Sequence, residues 1–156
     1  KNIMLKSALL SKFRWMAGAV LLLATAASHA VDFKTVGAAP VILYDAPSSK
    51  GGKLYVAPRG MPLEVVLSYG EWVKVRDASG EMAWTEAKGL SAKRNVVARA
   101  ANLKVRASPD DTASAIILVD KGVLLEMSEQ PSSGWVKVRH KDGQNGYVKT
   151  SEVWGL

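Results

Sequence analysis

The sequence predicts an all-β protein built from two small barrels in tandem. Three observations carry this. The pentapeptide Trp-Val-Lys-Val-Arg occurs twice, at Trp72–Arg76 and Trp135–Arg139. Each copy is one of five short apolar runs separated by turn residues, the pattern of a strand-rich sandwich or barrel. No stretch after residue 30 keeps apolar residues at i, i+3, i+4 and i+7 for three turns, as a long amphipathic helix would.

Residues 1–30 stand apart. Lys1, Lys6, Lys12 and Arg14 precede an uncharged apolar run over 15–27, and Ser28, His29 and Ala30 follow with small residues at the two positions a signal peptidase reads. This is the tripartite layout of a secretory signal. The thirteen-residue run falls short of the roughly 20 residues a bilayer-spanning helix needs. We therefore expect a removed signal, a periplasmic or secreted product, and no stable membrane insertion after cleavage. Cysteine is absent, which excludes a lipidated cysteine behind the signal and leaves stability to packing alone.

The formal charge of +7 falls to +3 (17 basic against 14 acidic) when the four basic residues of the leader are set aside. Residues 31–92 carry seven of each sign, and residues 93–156 carry ten basic and seven acidic. That excess is too small for the clustered basic face of a nucleic-acid binder, so no nucleic-acid partner is expected.

A lead-in segment, 31–39, shows no clear periodicity. The first barrel is assigned to 40–92, with apolar runs at 41–44, 53–56, 63–67, 72–76 and 82–85. Ser91 to Asn95 is polar and reads as a connector short enough for the two units to touch. The second barrel is assigned to 93–156, with runs at 103–106, 116–119, 124–128, 135–139 and 145–148. Matching positions lie 62 apart at first (Pro47 and Pro109, Gly60 and Gly122, Glu64 and Glu126) and 63 apart from the tryptophans on (Trp72 and Trp135, Gly80 and Gly143, Trp84 and Tyr147). One residue has been inserted between Ser128 and Gly134, a change that a hairpin loop tolerates. A repeat of this length makes each unit a small domain rather than a solenoid turn, and closing its sheet removes exposed edges.

Strand periodicity divides the repeated pentapeptide. Successive side chains point to opposite faces, and lysine and arginine are rarely buried unpaired. Val73, Val75, Val136 and Val138 are therefore expected in the cores, with Trp72 and Trp135 outside or at the rim. Outward tryptophans either shield the sheet or wall a groove, where a large apolar ring with one donor suits peptide and sugar contacts.

The second unit resembles the bacterial SH3 domain. The residues that carry the resemblance are Leu103-Lys104-Val105-Arg106-Ala107-Ser108-Pro109, the apolar run closing at Lys121-Gly122, Gly134-Trp135-Val136-Lys137-Val138, and Gly143-Gln144-Asn145-Gly146-Tyr147-Val148. The first unit is similar but departs from the pattern, with Tyr44 in the place of the arginine and Ala83 in the place of the glycine. The resemblance implies SH3-like barrels that bind rather than catalyse, with peptidoglycan peptide or glycan as the leading ligand and a protein–protein adaptor role in the envelope as the alternative.

The residues themselves point the same way. The mature chain keeps one histidine, His140, in the polar hairpin Arg139-His140-Lys141-Asp142-Gly143, which is no setting for a triad. With no cysteine it also offers no zinc-ligand spacing. Asp110 and Asp111 are the one adjacent carboxylate pair after the leader, and they follow Pro109 in a turn, where Asp commonly bonds the local backbone. We expect no enzyme, cofactor or metal. The candidate ligand-binding residues are Arg106, Asp110, Trp135 and Tyr147 in the second unit, with Trp154 as a further candidate, and Tyr44, Tyr69, Trp72 and Trp84 in the first.

Overall fold

A computed structural model describes residues 30–156; the leader assigned from sequence lies, but for Ala30, outside them. The strands are β1 (Asp32–Val36), β2 (Val41–Tyr44), β3 (Lys53–Ala57), β4 (Pro62–Tyr69), β5 (Trp72–Arg76), β6 (Met82–Glu86), β7 (Leu90–Ser91), β8 (Asn95–Ala98), β9 (Leu103–Arg106), β10 (Ala115–Val119), β11 (Leu124–Met127), β12 (Trp135–Arg139), β13 (Asn145–Lys149) and β14 (Val153–Trp154). Helical structure among the described residues is confined to two 3₁₀ turns, Ala87–Gly89 and Thr150–Glu152. The strands form two seven-stranded sheets, ordered β3-β2-β6-β5-β4-β1-β7 and β10-β9-β13-β12-β11-β8-β14. Every strand's counterpart is the one seven places later, so the duplication read from sequence is a duplication of topology.

Each sheet exceeds the five expected strands by two. In the first sheet these are β7 and β1, and β1 lies in the lead-in segment that showed no periodicity. It pairs with β4 through Phe33↔Glu64 and Lys34↔Leu63, and with β7 through Thr35↔Ser91. Phe33 and Thr35 turn toward the second barrel, and only Val36 joins the core cluster of the first, so the strand carries no simple apolar alternation.

The pentapeptides divide as strand geometry requires. Val75 and Val138 are 1% and 0% exposed, and Val73 and Val136 are also buried. Val75 and Val73 pack with Leu43, Leu63 and Ala83, whereas Val138 and Val136 pack with Leu103, Val105, Leu125 and Val148. Val75→Ala should therefore lower the melting temperature more than Lys74→Ala, because it removes buried carbon and leaves a cavity. Equal shifts in a thermal scan would contradict the core assignment. The glycines matched across the repeat are equally explicable: Gly60 and Gly122 have φ of 83° and 90°, and Gly80 and Gly143 have φ of 92° and 95°, a backbone region that favours glycine.

The two barrels touch. Three residues, 92–94, separate β7 from β8. Phe33 of the first barrel meets Trp154 of the second edge-to-face, with centroids 4.9 Å apart. Asn95 donates from its backbone N to Thr35 Oγ1 (3.3 Å) and from Nδ2 to the Gly60 carbonyl (2.8 Å). Arg94 lies 5.5 Å from the Phe33 centroid and donates to the Gly155 carbonyl at 2.8 Å. The polar connector is thus a clamp.

One buried polar pair separates the two cores. In the first barrel the Tyr55 hydroxyl donates to Asp77 Oδ2, while Asp77 Oδ1 accepts from Ser79 N, Ser79 Oγ and Glu81 N. In the second barrel Ile117 and His140 stand at these positions. Burial works to raise the Asp77 carboxyl, but the Ser79, Tyr55 and Glu81 bonds outweigh it and hold the group below its ordinary value of 3.8. A depressed folded value means the contribution is present above 3.8 and is lost as pH falls through the lowered value. Asp77→Asn should therefore destabilise the first barrel near neutrality, with the difference from wild type shrinking in acid. Denaturant titrations across that range check this; a difference unchanged down to about pH 2 would refute it.

Candidate functional site

The second barrel builds an open groove on its outer face. Partners directly opposite in the β12–β13 ladder share a face, and the register Trp135↔Lys149 and Lys137↔Tyr147 therefore sets all four side chains outside. Tyr147 is also opposite Arg106 on β9. Two loops rise over this face, one carrying Pro109 and one carrying residues 129–133. Between them lies a groove of about 310 Å³ lined by Pro109, Glu129, Ser132, Ser133, Trp135, Lys137 and Tyr147.

The inserted residue accounts for the groove. In the first barrel the β4–β5 ladder runs to Tyr69↔Trp72, leaving only Gly70 and Glu71 for the turn. In the second, β11 ends at Met127, and Ser128 N still bonds the Lys137 carbonyl at 2.9 Å. Pro131, which has no N–H to offer the ladder, follows in the departing segment. The chain returns through a tight turn in which Ser132 and Trp135 exchange backbone bonds of 2.8 and 3.0 Å. Ser133 and Gly134 there have φ of 51° and 82°, the two positive values that a type I′ turn requires. The insertion thus opens the hairpin into a wall instead of lengthening a passive loop.

Charge is arranged over the rings. Lys137 Nζ lies 5.9 Å from the Tyr147 centroid and 3.2 Å from Glu129 Oε1. Lys149 Nζ lies 5.9 Å from the Trp135 centroid and pairs with Asp111. Such exposed cation–π contacts contribute about 0.5–1 kcal/mol each and steady the rings. Arg106 donates from Nη1 to the Ala113 carbonyl at 2.9 Å, tying the Pro109 loop to the sheet. Asp110 shapes the same loop: its Oδ1 accepts from Thr112 N and Thr112 Oγ1, both at 2.8 Å, and the Thr112 amide followed by its hydroxyl holds the carboxyl below the ordinary Asp value.

A family model of the bacterial SH3 domain matches residues 37–91 and again residues 99–155. The chain belongs to the bacterial SH3 domain family. Both SH3 units are matched, including the first, whose opening and closing motifs depart from the pattern. No curated protein matches the chain. Among solved structures it is similar to NlpC2 from Trichomonas vaginalis (10% identity, TM-score 0.37, covering 81% of this chain and 49% of that one). It is similar to NlpC1 from the same organism (12%, TM-score 0.38, 88% and 50%) and to an NlpC/P60 family protein from Bacillus cereus (14%, TM-score 0.36, 80% and 56%). The chain spans about half the length of these structures.

The first SH3 unit uses its aromatics differently. Tyr44, at Arg106's position, is only 8% exposed and stands edge-to-face with Trp72, centroids 5.5 Å apart. Tyr69 meets Trp84 edge-to-face at 6.5 Å, yet Tyr69 itself is 66% exposed. The register Tyr69↔Trp72 and Tyr44↔Trp84 puts all four on one outer face, but as two self-packed pairs.

Of the residues named from sequence, the structure therefore brings Trp135 and Tyr147 to one groove. Arg106 and Asp110 support its loop, and Tyr44, Tyr69, Trp72 and Trp84 gather on the first unit. Trp154 is taken up by Phe33 at the junction. Strand periodicity already places Lys137 on the Trp135 face, two residues away; sequence reasoning singles out neither Lys149 nor Glu129. Among the described residues no helix is long and apolar enough to cross a membrane, and no cluster of three or more His, Asp or Glu side chains is suited to a metal ion.

Proposed function

We propose that this protein is a noncatalytic recognition module for a cell-envelope ligand, with a peptidoglycan peptide or glycan as the leading candidate, acting in the periplasm or outside the cell. The observation that carries the reading is the groove of the second SH3 unit, walled by Trp135 and Tyr147 and open between two loops. An aromatic face beside Lys137, Glu129 and serine hydroxyls offers stacking, charge and hydrogen bonding together, which is what peptide and sugar recognition uses. Membership of the bacterial SH3 family, whose resemblance implied binding, supports the same reading. The ligand contacts are assigned to Trp135 and Tyr147, with Arg106 and Asp110 holding the loop and the Tyr44, Tyr69, Trp72 and Trp84 face as a secondary surface. Purified sacculi should retain the protein on sedimentation, Trp135→Ala should lose most of that retention, and Trp72→Ala should lose little. Retention no greater than that of an unrelated β protein would end the proposal.

A protein–protein adaptor is the second reading, favoured by a repeated feature. The edge strands β3 and β10 expose Leu54 and Val56, and Ile116 and Leu118, at matching positions. Sheet edges with exposed apolar side chains are common docking sites. Crosslinking that recovers one envelope protein in equal amount, lost on Leu118→Glu but kept on Trp135→Ala, would favour the adaptor.

A further inference from the structure

We infer that the junction between the two SH3 units is a second binding site, separate from the Trp135 groove, that takes an extended acidic peptide with aliphatic side chains between its carboxylates. A groove of about 710 Å³ runs along this junction. Arg59 and Gly60 enter it from the first unit; Val123, Leu124, Glu126, Arg139, His140 and Lys141 enter it from the second. Neither unit alone contains it, and the Asn95 bond to the Gly60 carbonyl holds its two sides in register.

The charges do not cancel. Glu126 is the one carboxylate lining the groove, and it is engaged twice, by Lys93 Nζ at 3.1 Å and Arg139 Nη2 at 3.2 Å. Those two pairs hold its carboxyl below the ordinary Glu value, against the slight opposing effect of burial. Asp142, beside the groove, lies 3.3 Å from His140 Nδ1. Arg59 and Lys141 form no ion pair among the described residues, whereas Arg139, which lines the same groove, is paired with Glu126. They are exposed and lie on opposite units.

The floor between them is apolar, formed by the half-buried Val123 and Leu124, with the His140 ring beside them. Two unpaired cations flanking an apolar floor match carboxylates flanking an aliphatic side chain. An extended peptide brings residues i, i+2 and i+4 to one face, so carboxylates at i and i+4 with an aliphatic residue at i+2 meet the cations and the floor together. A plain polyanion would meet the cations and leave the floor in water. The +3 excess of residues 93–156 strengthens the field at this side of the molecule and should steer an anion toward it.

The test uses the full chain and two labelled peptides, acetyl-Glu-Ser-Leu-Ser-Glu-amide and its Gln-Ser-Leu-Ser-Gln counterpart, read by fluorescence anisotropy. The acidic peptide should bind, and affinity should fall with added salt. Arg59→Glu and Lys141→Glu should each weaken binding at least tenfold. Lys50→Glu, an exposed charge change in a loop of the first unit, should leave it within twofold. Trp135→Ala should also leave it unchanged, so failure of the sacculus assay and failure of this site are read separately. Three results would overturn the inference: no binding of the acidic peptide, equal binding of the glutamine peptide, or a Lys50→Glu loss as large as that of Arg59→Glu.

Discussion

Leu125→Ala is expected to lower the melting temperature of the second SH3 unit by roughly 10–30 °C. Leu125 is 0% exposed and sits on β11 at the centre of the cluster with Val96, Leu103, Val136, Val138 and Val148. Its counterpart on β4, Leu63, is equally buried. Removing a buried leucine side chain costs about 2–5 kcal/mol, from lost burial plus the cavity left behind. That is a large share of the stability of a domain near 60 residues, which buries only about 60% of its unfolded surface. Leu118→Ala, on the exposed edge strand, is the matched control and should move the transition little.

The same variant reports how the two units are coupled. The junction offers an aromatic pair and a few hydrogen bonds; such a pair contributes about 0.5–1.5 kcal/mol beyond its buried area, and each bond about 0.5–1.5 kcal/mol net. A core lesion at the upper end of its range exceeds what the junction returns. Calorimetry should therefore show the second unit melting ahead of the first in Leu125→Ala. A single transition shifted as a whole would mean that the junction is stronger than its contacts indicate, and a shift no larger than that of Leu118→Ala would overturn the core placement.

What the sequence disclosed about the fold, and what it withheld, follow from one distinction. Regularity repeated at a fixed offset was legible: Val75 and Val138 in the cores, Trp72 and Trp135 outside, glycines at the turns. Features that depend on contact between distant segments were not. β1 exists because β4 and β7 offer it partners on both sides, and its own five residues carry only a weak alternation. Trp154 looked like one more exposed aromatic until Phe33 closed over it. The candidate site divides the same way. Trp135 and Tyr147 were visible as aromatics on outward positions, but the groove between them depends on an inserted residue opening a hairpin, which counting residues alone does not disclose. The junction groove was invisible to sequence, because Arg59 and Lys141 are 82 positions apart.

Gly146→Ala should destabilise the second unit by about 3 kcal/mol, even though alanine is what the first unit carries at the same position. A Cβ on Gly146 would lie 2.6 Å from the Arg106 carbonyl oxygen and 2.6 Å from Val105 Cγ1, with Ile116 Cδ1 at 3.3 Å. Contacts of that length do not persist, so β13 must move away from β9, the ladder that places Tyr147 opposite Arg106. Ala83 is accommodated in the first unit, 3% exposed and opposite Val75 as Gly146 is opposite Val138. The neighbour has changed with it: Leu43 stands where the second unit has Val105. A β-branched valine holds two methyls close to its own backbone, whereas leucine branches one carbon further out. Val105→Leu should therefore recover part of the loss in the Gly146→Ala background. A double-mutant cycle by chemical denaturation should give a favourable coupling of about 0.5–3 kcal/mol. The carbonyl contact remains in the double variant, so recovery should be incomplete. Gly146→Ala as stable as wild type would show that the β9–β13 spacing relaxes freely, and zero coupling with Val105→Leu would assign the whole penalty to the backbone oxygen.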